Sequence, residues 1–413
     1  MNPKSLRREC CVVCGADELE SIVTIASFPV FQGCVDFDME AGECAPMRWV
    51  ACERCGSAQV ADLPPLNRIY QAGHATGLGT SWARHHAAFA AFLDAHVAGP
   101  VTDIGGGSGT LAAAYRKTGG KAPWTILEPN ALRTANLPPD IDIVEGFLEG
   151  TVLRRLGTAS VVMCHMLEHV VDLRAALREI SDSLPPHGTV LLAWPGLETW
   201  TRSGVAGALN FEHGLYVTVP RLETLFEEFG WRKSAEQHFG ENDTVFLAFI
   251  RGIVTKQNSV AHISAAPAIA RYFSVFREHA TAITRALDTH SGEAFLMPAS
   301  VYAQALIAGG LDQDRFAALL DNAPIKQGRR LYGTKLRVAA PATALADTRA
   351  PLVVLNGGAH EPEIAGQLRA IRSDVRILNG RGEPLDSAEA LARADRQKLP
   401  PARSALRLQN STP

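Results

Sequence analysis

The chain has 413 residues, enough for two or three domains. Its 46% hydrophobic and 20% charged composition is that of a globular protein rather than a disordered one. A net charge of −3 excludes the basic footprint expected of a nucleic-acid binder, and no apolar run is long enough to read as a signal peptide or a membrane span. The expectation is a cytoplasmic protein. In that compartment eight cysteines suggest metal ligands or free thiols before disulfides.

Two short pairs open the chain, Cys11-Val-Val-Cys14-Gly15 and Cys52-Glu-Arg-Cys55-Gly56. Two Cys-x-x-Cys turns, each closed by glycine, form a zinc signature, because the spacing lets both thiolates of a turn reach one ion. Four thiolates leave no open position, so the metal is expected to be structural, with Cys10, Cys34 and Cys44 as spare candidates. Leu63-Pro-Pro65 reads as the end of this first module. The next segment carries Tyr70, His74 and a Gly-Leu-Gly-Thr-Ser loop, then a helical pattern from Trp82 to Val97.

Val101 to Ile104 reads as a buried strand that runs into Gly105-Gly-Gly107-Ser-Gly109 and a helix over Leu111 to Tyr115. Glycines there let the chain turn sharply and let a ligand approach the main chain. Trp124 to Glu128 reads as the following strand, and its final carboxylate lies 25 residues after Asp103. At that place it can accept hydrogen bonds from both hydroxyls of a ribose. No P-loop lysine follows the glycines, which disfavours phosphate cradling. The Asp-x-Gly-x-Gly-x-Gly form resembles the opening of class I S-adenosylmethionine (SAM) methyltransferases. This makes Asp103, Gly105, Gly107, Gly109, Glu128 and Pro129, with His165 further along the chain, the candidate cofactor residues.

Ser160 to Cys164 reads as another buried strand, ending at His165-Met-Leu-Glu168-His169. Carboxyl ends of such strands face the cofactor, which puts His165, Glu168 and His169 in position for chemistry. A helix over Arg174 to Leu184 and a strand over Thr189 to Trp194 follow. Next come a loop over Leu197 to Asn210, the cluster Phe211-Glu212-His213, a helix over Arg221 to Gly230 and a strand over Asn242 to Ile250. A long helix over Ala266 to Thr289 leads to a smaller α/β unit. That unit is read as strands at Glu293 to Met297 and Pro351 to Asn356, with helices at Val301 to Gly309 and Arg315 to Leu320. The expected class is α/β: a zinc-binding module (1–65), a doubly wound methyltransferase domain (66–255), a second, Rossmann-like domain (256–396) and a disordered tail (397–413).

Taken together, the paired cysteine turns, the Asp103 glycine loop, the run from Glu168 to Asp172, the Glu212-His213 pair and Asp321-Asn-Ala-Pro-Ile-Lys-Gln-Gly328-Arg resemble the SAM-dependent sugar C-methyltransferases of deoxysugar biosynthesis. The resemblance implies methylation of carbon 3 of a nucleotide-linked 4-keto sugar, with SAM as cofactor and zinc as a structural ion. It also implies that His213 is the general base assisted by Glu212, that His165 or His169 lines the same cleft, and that Tyr70 contributes, unless His74 replaces it. The chain departs from the family at Asn210, where a tyrosine is expected, and at Met297 to Val301, which lacks a glycine. Those departures keep transfer to oxygen or nitrogen of another small molecule as the alternative. A zinc-module RNA or protein methyltransferase and a non-catalytic binding protein rank behind it. The expected partner is a small-molecule substrate, with no nucleic acid and no membrane, in a monomer or homodimer.

Overall fold

The computed structural model describes residues 5–70, 80–129, 137–148, 152–240, 243–252 and 262–385. His74, Gly77-Leu-Gly79 and the 397–413 tail lie outside the described residues. The chain divides into two compact units. One combines residues 1–33 with 39–277, and the other combines 34–38 with 278–413.

In the first unit, β1 (Leu19–Pro29), β2 (Cys44–Cys52) and β3 (Ala58–Val60) form an antiparallel sheet. Trp49 and Met47 are fully buried on β2. The second cysteine turn is the hairpin between β2 and β3, so sheet pairing and cysteine placement come from the same residues. A two-residue strand from much later in the chain, Leu215–Tyr216, completes this sheet beside β3. It follows directly on the Glu212-His213 cluster and anchors it.

The main sheet has seven strands: β4 (Val101–Ile104), β5 (Trp124–Leu127), β6 (Ile141–Val144), β7 (Ser160–Cys164), β8 (Thr189–Pro195), β9 (Trp231–Phe239) and β10 (Thr244–Arg251). Their spatial order is β9-β10-β8-β7-β4-β5-β6. Strands β4 to β8 run parallel, while β10 is antiparallel to β8 and β9 is antiparallel to β10. The sheet is therefore mixed rather than wholly parallel. Val101 to Ile104 and all of β8 are buried on both faces, as expected of continuous apolar runs under helices. Strand order reverses between β4 and β7, which opens a crevice at their carboxyl ends.

Helices α1 (Thr80–His96) and α2 (Thr110–Lys117) cover one face, where Phe89, Leu93, Leu111, Tyr115, Trp124, Val162 and Phe246 share a core. Further helices among the main sheet's strands include α3 (Leu173–Ser183), α4 (Leu197–Arg202) and α5 (Val219–Glu228), besides a single turn at Val152–Arg155. Asp172 caps α3 by accepting from the Ala175 amide at 3.0 Å. Three expectations need correction here. The expected loop from Leu197 holds α4, and the strands β6 and β9 were not foreseen. Both are edge strands, and β9 carries exposed polar residues such as Glu236 and Gln237 that hide its pattern.

After α6 (Ala266–Asp288), the second unit is built on a wholly parallel sheet of five strands. These are β11 (Ala294–Met297), β12 (Ala318–Leu320), β13 (Val338–Ala339), β14 (Leu352–Leu355) and β15 (Arg376–Asn379), in the order β13-β12-β11-β14-β15. Helices α7 (Val301–Ala308), α8 (Pro341–Ala346) and α9 (Glu361–Ile371) belong to it. The segment expected to be a helix over Arg315 to Leu320 is instead a 3₁₀ turn, Gln313–Arg315, followed by β12. A three-residue apolar run does not distinguish a buried strand from a helix by periodicity. In the Asp321–Gly328 loop the buried Asp321 carboxylate pairs with Lys326 at 2.8 Å, and the same ammonium donates to the Ala299 carbonyl.

Candidate active site

The crevice between β4 and β7 is bounded on one side by the glycine loop. Gly105 has a φ of 71° and Gly109 a φ of 78°, a left-handed backbone that side chains disfavour. A Cβ on Gly109 would lie 2.2 Å from Leu137 Cδ1, and one on Gly105 would lie 2.6 Å from Met166 Cγ. The loop is held from β5. The Gly105 amide donates to the Leu127 carbonyl at 2.8 Å, and the Gly107 amide donates to Glu128 Oε2 at 3.2 Å. Glu128 therefore stands at the strand end beside the glycines, followed by Pro129. Asp103 is fully buried beneath the loop, against Gly106. Burial raises its carboxyl to about 7, against the opposing pull of the Trp124 indole and with added repulsion from Glu128.

The other side of the crevice carries histidines. His165, the first residue beyond β7, has a left-handed φ of 49°. Its Nε2 lies 3.1 Å from Thr244 Oγ1 and its Nδ1 lies 3.5 Å from Glu168 Oε1. The His165 ring stacks on Trp200 of α4 with an interplanar angle of 5°, and Trp82 of α1 meets its edge. Non-glycine residues held in this backbone region concentrate at functional sites.

His169 and His213 lie edge to face, with ring centroids 4.7 Å apart. His213 Nδ1 is 2.8 Å from the Gly207 carbonyl, which can only accept, so this nitrogen is the donor of the pair. The Tyr70 hydroxyl lies 3.4 Å from His169 Nδ1. The fully buried Glu168 carboxylate groups with both rings, a ligand atom from each of the three residues lying within 4.8 Å of the others. Burial pushes the Glu168 carboxyl up, but the hydrogen bond from His165, with the neighbouring His165, His169 and His213 rings, outweighs it and holds the group below its ordinary value.

His165, His169, His213 and Tyr70 thus come together. Glu212, the neighbour assigned by resemblance, is buried, and its backbone amide donates to Asn210 Oδ1 at 2.7 Å. The carbonyl that orients His213 belongs to Gly207, and the carboxylate grouped with it is that of Glu168. Asn210, where a tyrosine was expected, shapes this turn. Its side-chain oxygen accepts from the Glu212 and His213 amides while its amide donates to Gly207 O. An Asn bonding to amides two and three residues on is a local signal that was available in the sequence. The parts played by Gly207, Trp82, Trp200 and Thr244 depend on tertiary placement and carry no such signal.

The four cysteines of the amino-terminal turns also converge, with all four sulfurs within 4.8 Å of one another. Cys11 and Cys55 approach to 3.6 Å, and Cys14 and Cys52 to 3.5 Å. Both turns have the same backbone form. The Gly15 amide donates to the Cys11 carbonyl and the Gly56 amide to the Cys52 carbonyl, with positive φ at each glycine. Cys10, Cys34 and Cys44 are outside the group.

A family model described as a methyltransferase domain matches residues 79–236. No curated protein matches the sequence. Among solved structures, the chain is similar to the mitomycin 7-O-methyltransferase MmcR at 20% identity, over 45% of this chain and 56% of that one, with a TM-score of 0.34. It is similar to the SAM-dependent methyltransferase SibL at 20% identity, over 41% and 55%, with a TM-score of 0.35. It is similar to the CcbJ methyltransferase from Streptomyces caelestis at 14% identity, over 44% and 100%, with a TM-score of 0.33. The chain covers little more than half the length of the first two, and at these TM-scores none of the three bears on function. The family match over residues 79–236 and the mixed sheet fit a methyltransferase domain of the class I fold. Among the described residues, no helix is long and apolar enough to cross a membrane.

Proposed function

We propose that the chain is a SAM-dependent methyltransferase that alkylates the carbon beside the ketone of a nucleotide-linked keto-deoxysugar. The observation that carries this reading is the His213 imidazole, oriented by the Gly207 carbonyl and set against His169 and the buried Glu168.

The cofactor end of the crevice fits a nucleoside. The glycine loop presents bare backbone where a Cβ would collide, Glu128 offers carboxylate oxygens beside it, and Asp103 forms the floor. When bound, SAM supplies an electrophilic methyl group on a sulfonium, so the protein's task is to position and deprotonate the acceptor. A carbon beside a ketone becomes nucleophilic only after losing a proton. An imidazole suits that step because its ordinary pKa lies near neutrality. His213 Nε2 takes the proton, and the Gly207 carbonyl keeps the tautomer correct throughout. The buried Glu168 charge stabilises the imidazolium that forms. His169, polarised by Tyr70, is the donor to the developing enolate oxygen.

The same base could deprotonate a hydroxyl or an ammonium, so transfer to oxygen or nitrogen is the second reading. It is favoured by Asn210, which stands where a tyrosine was expected and whose side chain is spent on the turn. Incubation with a panel of nucleotide-linked keto sugars in deuterated water separates the two. Carbon transfer requires loss of the substrate's α-proton and a product methylated on carbon, and exchange of that proton with solvent is expected where the methyl donor is replaced by its demethylated product. A product methylated on oxygen or nitrogen without exchange supports the second reading.

The Cys11, Cys14, Cys52 and Cys55 group fits a tetrahedral thiolate site for a structural zinc. Cys52→Ser is expected to lose about one metal equivalent and the fold of the amino-terminal sheet together. A metal-free wild-type protein with an unchanged melting temperature would contradict this assignment.

A further inference from the structure

On the face of the sheet under α1, at the carboxyl end of β7, lies a third group of metal-ligating side chains that the proposed reaction does not use. His85 and His86 of α1 and Cys164 of β7 bring one ligand atom each to within 4.8 Å of one another. His85 is completely buried, and neither of its ring nitrogens has a hydrogen-bond partner. His86 Nδ1 is likewise buried without a partner. Leaving buried imidazole nitrogens unsatisfied is costly, at about 1–3 kcal/mol per group. The residues around His85 do not relieve it: Phe89, Phe239 and Phe246 present ring faces and edges. Among the described residues this is the densest set of orphaned ring nitrogens.

We infer that His85, His86 and Cys164 form a second metal site, for a thiophilic divalent cation of the Zn2+ class. Two imidazoles and one thiolate match the donor preference of that ion, and three protein donors leave a fourth position open to water or another small ligand. Burial, with Asp103 and Glu168 nearby, pushes the Cys164 thiol up, so the thiolate forms there only against the charge of a bound cation. On binding, Cys164 gives its thiol proton to solvent. One sulfur–metal bond and two nitrogen–metal bonds form, with no change of oxidation state. The site is separate from the four-cysteine group, which lies on other elements.

The test is a comparison of metal content. Wild-type protein and Cys164→Ala are loaded with excess Zn2+, freed of unbound metal by gel filtration and analysed. The wild type is expected to hold one equivalent more than the variant, whatever the four-cysteine group retains in both. With Co2+ as the probe, the difference spectrum is expected to show a tetrahedral ion with the charge-transfer intensity of one thiolate rather than four. His86→Gln, at a half-buried position, is expected to lose the same equivalent and decides the matter if Cys164→Ala does not fold. Equal metal content in wild type and a folded variant overturns the inference, as does a difference spectrum without thiolate charge transfer.

Discussion

The glycine loop and the histidine cluster face each other across one crevice, yet they are specified in different ways. The loop is local: ten consecutive residues, Val101 to Thr110, contain its strand, its left-handed glycines and the start of its helix. The cluster is assembled from Tyr70, His169 beyond β7 and His213 beyond α4, and Gly207 and Asn210 lock its geometry. On the proposed reading, cofactor grip is a property of backbone shape, whereas proton transfer depends on side chains brought from afar. The two functions should fail separately under mutation.

The largest separation is expected at His213. His213→Ala should lower turnover by ~10²–10⁴, the usual cost of losing a positioned base, while SAM affinity stays as in the wild type. Rate and binding measured on the same preparation check this, and parallel losses would merge the two regions into one.

Gly109→Ala should have the converse effect. It puts a Cβ into left-handed backbone against Leu137 and Ile126, so it should cost ~2–3 kcal/mol of stability and weaken SAM binding. Chemical denaturation read alongside calorimetry would show it. A variant as stable as the wild type would mean that the loop adapts.

Glu128→Ala adds no Cβ to the loop but removes the proposed ribose acceptor together with the carboxylate that accepts from the Gly107 amide. It should cost ~1.5–3 kcal/mol of SAM affinity, with little effect on folding.

The smallest effect concerns pH. Burial raises the Asp103 carboxyl to about 7 in the folded protein, above its unfolded value near 4. The folded state therefore holds the proton more tightly, and Asp103 costs stability progressively as pH rises from about 4 to about 7. Asp103→Asn should gain on the wild type over that interval, by on the order of 1–3 kcal/mol at most. Melting curves of both proteins at several pH values test this, and a constant difference would contradict it.

Much of the fold could be read from the sequence wherever one segment carries its own pattern. The Val101 strand, the glycine turn, the Ser160 strand and the paired cysteine turns all lie where residue spacing put them. Edge strands were hidden because half their residues face solvent, as in β9, and β12 was mistaken for a helix because three apolar residues fit either form. At the site, the histidines could be read as candidates from their position after strands. What orients His213 could not be, because Gly207 is six residues away through an irregular loop and Glu168 arrives from another element.

The central claim is that this crevice holds SAM with its nucleoside on the glycine loop side and its reacting end toward the histidines. Titration calorimetry of SAM into wild type, Glu128→Ala and His213→Ala tests it most directly. The account predicts saturable binding of about one SAM per chain in the wild type, the same affinity in His213→Ala, and an affinity at least tenfold weaker in Glu128→Ala. No heat of binding in the folded wild type, or equal affinity in Glu128→Ala, would contradict it.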